Sequence, residues 1–205
     1  MNLFEDTYKT IDVPSEGLFK DKGSKFIAYA YPFEQMEELK NRLAEAKTIH
    51  PKARHHCWAY RLSTDRAIFR LNDDGEPSGT AGRPILNTLL SHDLTNILVI
   101  VVRYFGGTLL GVPGLINAYK SATQDALDQA IIVEKTVNDV YSINFDYLQM
   151  NAIMRIMKED QLNVLTQDFS TDCSLTFEIR QSQANLTLNK IQSLDGVKVK
   201  YLRKV

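Results

Sequence analysis

Two periods alternate along the chain and mark out short elements. Residues 7–13 and 25–31 look extended, and the turn-prone Lys22-Gly23-Ser24 just before the second stretch predicts a hairpin. Over residues 33–48 the period changes. Met36, Leu39, Leu43 and Ala46 fall at helical spacing, with Glu38 and Arg42 placed to pair on the wet side. Strands are predicted over 54–62 and 67–71. A turn-rich loop, 72–84, then feeds a short helix with Ile85, Leu86, Leu89 and Leu90 as its apolar face and Pro84 in its first turn. The most apolar strand is 96–104. Its segment 97–102 shows no alternation, which predicts a central strand covered on both faces. A glycine-rich loop, 106–114, opens a long helix whose buried stripe is Leu115, Ala118, Tyr119, Ala122 and Ala126.

After about residue 134 the pattern restarts. Tyr141, Ile143 and Phe145 alternate as a strand, and Met150, Ile153, Met154 and Met157 mark a helix with Asp146 available as a cap. A strand near 162–166 follows, then an alternating Leu175, Phe177 and Ile179. A helix with Leu188 and Ile191 and a last strand with Val197, Val199 and Tyr201 complete the order β-α-β-β-α-β, the ferredoxin-like split unit. All six prolines precede this half. The fold class expected is α+β in two domains, 1–134 and 137–205, with a contact-poor boundary near 132–137.

Composition narrows the function classes. The 205 residues sit between one and two ordinary domains, at ~150 residues per domain. An apolar fraction of 44% supports packed cores, and 24% charged residues is close to the ~25% of soluble proteins. Disorder, collagen-like repeats and a small disulfide scaffold are excluded. Twenty-four basic against twenty-five acidic residues exclude a wholesale polycation, though not a local basic patch. The longest apolar run, 97–102, is far short of the ~20 residues of a membrane helix. Glu5 and Asp6 stand where a secretory signal would carry Lys or Arg. Cys57 and Cys173 lie far apart and outside any Cys-x-x-Cys pair. A cytoplasmic location is expected, with no membrane and no DNA partner.

Three segments could carry chemistry. On the strand with His55-His56-Cys57-Trp58, alternation puts His55, Cys57, Ala59 and Arg61 on one face and His56, Trp58 and Tyr60 on the other. The two histidines point apart, so a metal would need ligands from elsewhere. They fit a packed aromatic core face or a polar site. In the loop, Asp73, Asp74 and Glu76 suit either paired-carboxylate or magnesium chemistry, or an ordinary solvated turn. Arg83 at the following helix N-terminus opposes the macrodipole by about 0.3–1 kcal/mol, unless an anion binds there. Arg103 ends an apolar strand and is expected to project at its exposed carboxyl end. Gly106, Gly107, Gly111 and Gly114 either let backbone approach a phosphate or let strand and helix pack tightly. A P-loop is absent, since Lys120-Ser121 lies inside the helix, and the dinucleotide glycine spacing is absent as well. In the second half, Lys198 and Lys200 share the polar face of the last strand, followed by Arg203 and Lys204. The RNA-recognition signature is missing there.

The segments Ser24-Lys25-Phe26-Ile27-Ala28, Arg54-His55-His56-Cys57-Trp58-Ala59-Tyr60, 73–84 and Val102-Arg103-Tyr104-Phe105-Gly106-Gly107 together resemble the IMPACT/YigZ family. The resemblance implies a first domain like domain 2 of ribosomal protein S5. It also implies a second domain like domain V of elongation factor G, and a pairing similar to that factor's last two domains. Eukaryotic members regulate translation under amino-acid stress by competing for a kinase activator, using an additional N-terminal domain not found in these 205 residues. The leading expectation is a non-enzymatic RNA- or ribosome-associated protein acting on translation, possessing no cofactor and no metal. Arg61, Arg83, Arg103, Lys120 and the backbone at Gly106, Gly107 and Gly111 would supply anion contacts, and the basic C-terminal strand would supply a second patch. His55, His56, Asp74, Glu76 and Thr80 would form a polar pocket. The competing expectation is an enzyme on a phosphorylated small molecule, with Asp74 and Glu76 holding a metal or a proton and His55 or His56 as acid or base. A translation-related protein partner, met through an exposed apolar patch, is the third.

Overall fold

A computed structural model describes residues 6–170 and 173–205. The chain divides into two units, residues 8–135 and residues 136–205 joined by residues 6 and 7. The larger unit runs β1 (Thr7–Ile11), β2 (Ser15–Asp21), β3 (Ser24–Pro32), α1 (Glu38–Ile49), β4 (His55–Leu62), β5 (Ile68–Asn72), α2 (Gly82–Ser91), β6 (Ile97–Tyr104), α3 (Gly111–Asp128) and β7 (Ile132–Thr136). Five strands form one antiparallel sheet in the order β2-β3-β6-β4-β5, with β6 at its centre. The apolar segment 97–102 is wholly buried, as its lack of alternation requires. Val99 and Val101 join Phe26, Ala28, Cys57 and Ala59 under α2 and α3. Leu98, Ile100 and Val102 join Tyr31 and Tyr60 under α1. Fully burying each of the Val, Leu, Ile and Phe side chains is worth roughly 1.5–3 kcal/mol. Gly17 lets α3 lie directly on β2, because a Cβ there would stand 2.2 Å from the Ala126 nitrogen.

Three local expectations are corrected. The hairpin joins β2 to β3, and residues 7–11 pair instead with β7 in a separate two-stranded sheet. Lys22 and Gly23, with φ of 45° and 79°, form the two-residue turn between Asp21 and Ser24. β2 is poor in β-branched residues and gives little strand signal. Helix α1 begins at Glu38 rather than near 33, since Phe33 is buried and its N–H is bound by the Asn96 carbonyl. Arg42 pairs with Glu45 and lies over the Tyr31 ring, not with Glu38. Strand β7 occupies residues 132–136, beside the division between the two units.

The smaller unit runs β8 (Asn138–Phe145), a 3-10 turn (Tyr147–Gln149), α4 (Met150–Glu159), β9 (Asn163–Asp168), β10 (Cys173–Arg180), α5 (Gln181–Gln192) and β11 (Lys198–Lys204). Its antiparallel sheet has the order β11-β8-β10-β9, the ferredoxin-like arrangement. Ile143, Phe145, Leu175, Phe177 and Ile179 pack against Ile153, Ile156, Met157 and Ile191. The Asp146 side chain makes no capping bond, because the 3-10 turn intervenes before α4. Asp6 belongs to this unit through Arg180, whose Nε and Nη2 donate to its carboxylate at 2.6 and 2.8 Å. No helix among the described residues is long and apolar enough to cross a membrane.

Candidate functional site

Arg103 stands opposite Phe26 on β3 and His55 on β4. Its guanidinium does not project at the strand end, as expected, but folds onto the α2/α3 face. Nη1 donates to Glu76 Oε1 at 2.6 Å, and the two side chains are 7% and 3% exposed. The Phe26 and Phe105 rings flank it. Tyr119 donates its hydroxyl to the same Glu76 oxygen at 2.8 Å. Cys57 Sγ in turn approaches the Tyr119 oxygen at 3.3 Å and the Asp73 carbonyl at 3.0 Å. Burial pushes both the Cys57 thiol and the Tyr119 phenol well above their ordinary ranges, so both remain protonated donors. A thiol so placed is no nucleophile at neutral pH. Arg103 therefore pairs its charge with a buried carboxylate in place of projecting at the strand end.

The loop between β5 and α2 is built by its own carboxylates. Asp73 Oδ1 accepts from the Ala81 and Gly82 amides at 3.0 and 2.8 Å, and Oδ2 accepts from Gly79 at 2.8 Å. The amides at the start of α2 are thus occupied by the chain's own Asp73, which makes no ion pair with Arg83. Asp74 Oδ2 accepts from the His56 amide at 2.7 Å, and its carbonyl accepts from His55 Nδ1 at 2.9 Å. Thr80 is buried and donates to the Pro77 carbonyl. Asp74 and Glu76 serve separate partners, and no group of three His, Cys, Asp or Glu side chains among the described residues could hold a metal ion. Of the residues expected to share a polar pocket, His55 and His56 on β4 meet Asp74, while Glu76 and Thr80 bind other partners.

The histidines point apart, as alternation requires. His56 is buried on the α1 side, with Nδ1 3.9 Å from Asp74 Oδ2 and Nε2 without a partner among the described residues. Burial lowers its pKa, against the pull of Asp74. His50, which no spacing singled out, bridges the hydroxyls of Tyr29 and Tyr104 at 2.7 and 2.9 Å, and burial lowers its pKa too.

The remaining expected contacts separate. Arg61 is tied to Asp93 and to the Leu94 and Arg66 carbonyls. At Gly106 a Cβ would stand 1.9 Å from the Gly23 carbonyl carbon, so this glycine serves the crossing over the β2–β3 turn. Gly107 and Gly111 take left-handed backbones, with φ of 88° and 72°. Arg83 and Lys120 alone come together, on a groove of about 340 Å³ between α2 and α3. Neither has an ion-pair partner among the described residues.

Cations also gather on β11. Lys198 and Lys200 stand opposite Asn144 and Ser142, on the sheet face turned away from α4 and α5, and line a cleft of about 400 Å³. Simple alternation would send Arg203 to the other face. The register shifts between Tyr201 and Arg203, and this bulge sets Arg203 opposite Val140, on the face of the two lysines. That alignment is invisible to a period-two reading.

Residues 22–127 match the sequence model of the Impact N-terminal domain. The chain is 38% identical over 165 residues to an IMPACT family member of Haemophilus influenzae, covering 78% of this chain and 79% of the relative. It is 34% identical over 150 residues to the IMPACT family member YigZ of Escherichia coli, covering 72% and 74%. Among solved structures, the crystal structure of a hypothetical protein shares 26% identity with a TM-score of 0.75, over 98% of this chain and 99% of that one.

Proposed function

The chain belongs to the IMPACT family, and from that premise we propose that it acts on translation as a non-enzymatic RNA- or ribosome-associated protein. The observation that carries this reading is the basic edge strand β11. Lys198, Lys200 and Arg203 share one sheet face, and the lysines, two residues apart, are separated by about 7 Å along the strand. That row can meet neighbouring phosphates of a nucleic-acid backbone. Meanwhile the acidic residues of the 73–76 loop are engaged inside the fold. With a net charge of −1, affinity must come from such a local row. Edge-strand lysines also discourage strand pairing between copies, but that role carries no RNA affinity.

The test is fluorescence anisotropy with a labelled oligouridylate across a salt series. The log–log slope should be about −0.7 per phosphate contacted, and Lys198→Ala/Lys200→Ala should make it shallower by roughly 1.4. Binding that is indifferent to both lysines overturns the assignment to β11. Absence of RNA and ribosome binding at low salt overturns the proposal itself.

A further inference from the structure

The outer face of α2 and α3 has a composition that the core does not require. Leu109, Val112, Ile116 and Lys120 follow at spacings of three and four, so they form one stripe along α3 and its entry. The three apolar members are 81%, 51% and 40% exposed. Phe105, at the exit of β6, is 55% exposed. Across the groove, α2 presents Arg83, Asn87 and Leu90 at the same helical spacing, with Leu90 43% exposed. The groove is lined by Arg83, Pro84, Asn87, Ile116 and Lys120 among others, and no acidic residue lines it. Helix α2 has no Asp or Glu, and the two in α3, Asp125 and Asp128, lie at its far end. Scattered apolar residues need no explanation, but a continuous exposed stripe rimmed by polar residues marks an interaction surface.

We infer that the α2/α3 groove docks an acidic amphipathic segment of a partner protein. Its apolar side chains lie over Val112 and Ile116, and its carboxylates meet Arg83 and Lys120, the helix-in-groove mode of recognition. Charge complementarity selects this occupant. A second copy of the chain would bring the same cations against themselves in a two-fold contact. RNA is the poorer fit, because aliphatic side chains offer no stacking platform and two cations neutralise few phosphates. This inference stands apart from the RNA reading, which rests on β11.

The test selects displayed random peptides of about 16 residues, ~24 Å as helix, on the full chain. Enriched peptides are then measured against the wild type, Ile116→Asp and Arg83→Glu/Lys120→Glu. All three positions are exposed, and amide shift mapping on the wild type gives a readout independent of the variants. The expected peptides carry apolar residues at i, i+4 and i+7 with Asp or Glu between them, and shift α2 and α3 amides. Affinity should fall roughly tenfold or more in each variant. Replacing the peptide's acids with Lys should restore binding to Arg83→Glu/Lys120→Glu. Enrichment of basic or uncharged peptides, affinity indifferent to the charge reversal, or no enrichment overturns the inference. An oligouridylate whose binding is lost in Arg83→Glu/Lys120→Glu but kept in Ile116→Asp assigns the groove to nucleic acid and also overturns it. Failure of RNA binding through β11 leaves the groove result unaffected.

Discussion

Arg103 takes its meaning from a partner 27 residues away in the chain. Its place at the end of an apolar strand was legible, and so were the opposed faces of His55 and His56. Glu76 as its partner was not, because the loop after β5 must first fold back over the sheet. The same holds for His50, whose two tyrosines come from β3 and β6. A buried ion pair broken by removing one member leaves the other charge uncompensated, at a cost of about 3–5 kcal/mol. Arg103→Ala should therefore lose about that much stability in urea unfolding. Arg103→Met/Glu76→Leu should lie closer to the wild type than either single variant. Equal or additive losses would show that the pair itself holds the loop.

At the scale of elements, alternation and helical spacing placed nearly every strand and helix. They failed where backbone conformation outweighs hydrophobic pattern. β2 was missed because Ser15, Glu16, Gly17 and Asp21 carry little strand signal, although Gly17 is what admits α3. The bulge in β11 and the capping of α2 by Asp73 are backbone features of the same kind. Asp73 satisfies the Ala81 and Gly82 amides at the start of α2 and the Gly79 amide in the loop before it. Asp73→Ala should destabilise the chain by roughly 2 kcal/mol, toward the upper range of lost helix caps. Thermal unfolding checks this, and an unchanged midpoint would mean that water replaces the carboxylate.

For the whole molecule, the two-unit α+β architecture follows from where the hydrophobic pattern restarts, but the place of residues 6 and 7 does not. Asp6 is held far below the ordinary carboxylate range by the Arg180 hydrogen bonds, and Asp160 is lowered by Lys190 and Thr187. A carboxylate lowered on folding contributes stability above its unfolded pKa of about 4, and that contribution is lost as pH falls. Asp139, raised by burial, acts with the opposite sign. Unfolding followed between about pH 5 and pH 2 should show a steep loss of stability that is shallower in Asp6→Asn. An identical slope in the variant would remove Asp6 from the acid response.

Buried polar residues around the glycine loops hold the fold, which leaves the exposed cations of β11 as the proposed contacts with the translation machinery. Co-sedimentation with ribosomes at low salt tests that proposal most directly, comparing the wild type with Lys198→Glu/Lys200→Glu/Arg203→Glu. The wild type should pellet with ribosomes, raising salt should release it, and the charge reversal should stay in the supernatant with an unchanged melting midpoint. Pelleting of the charge-reversed protein to the wild-type extent, or no pelleting of the folded wild type, would contradict it.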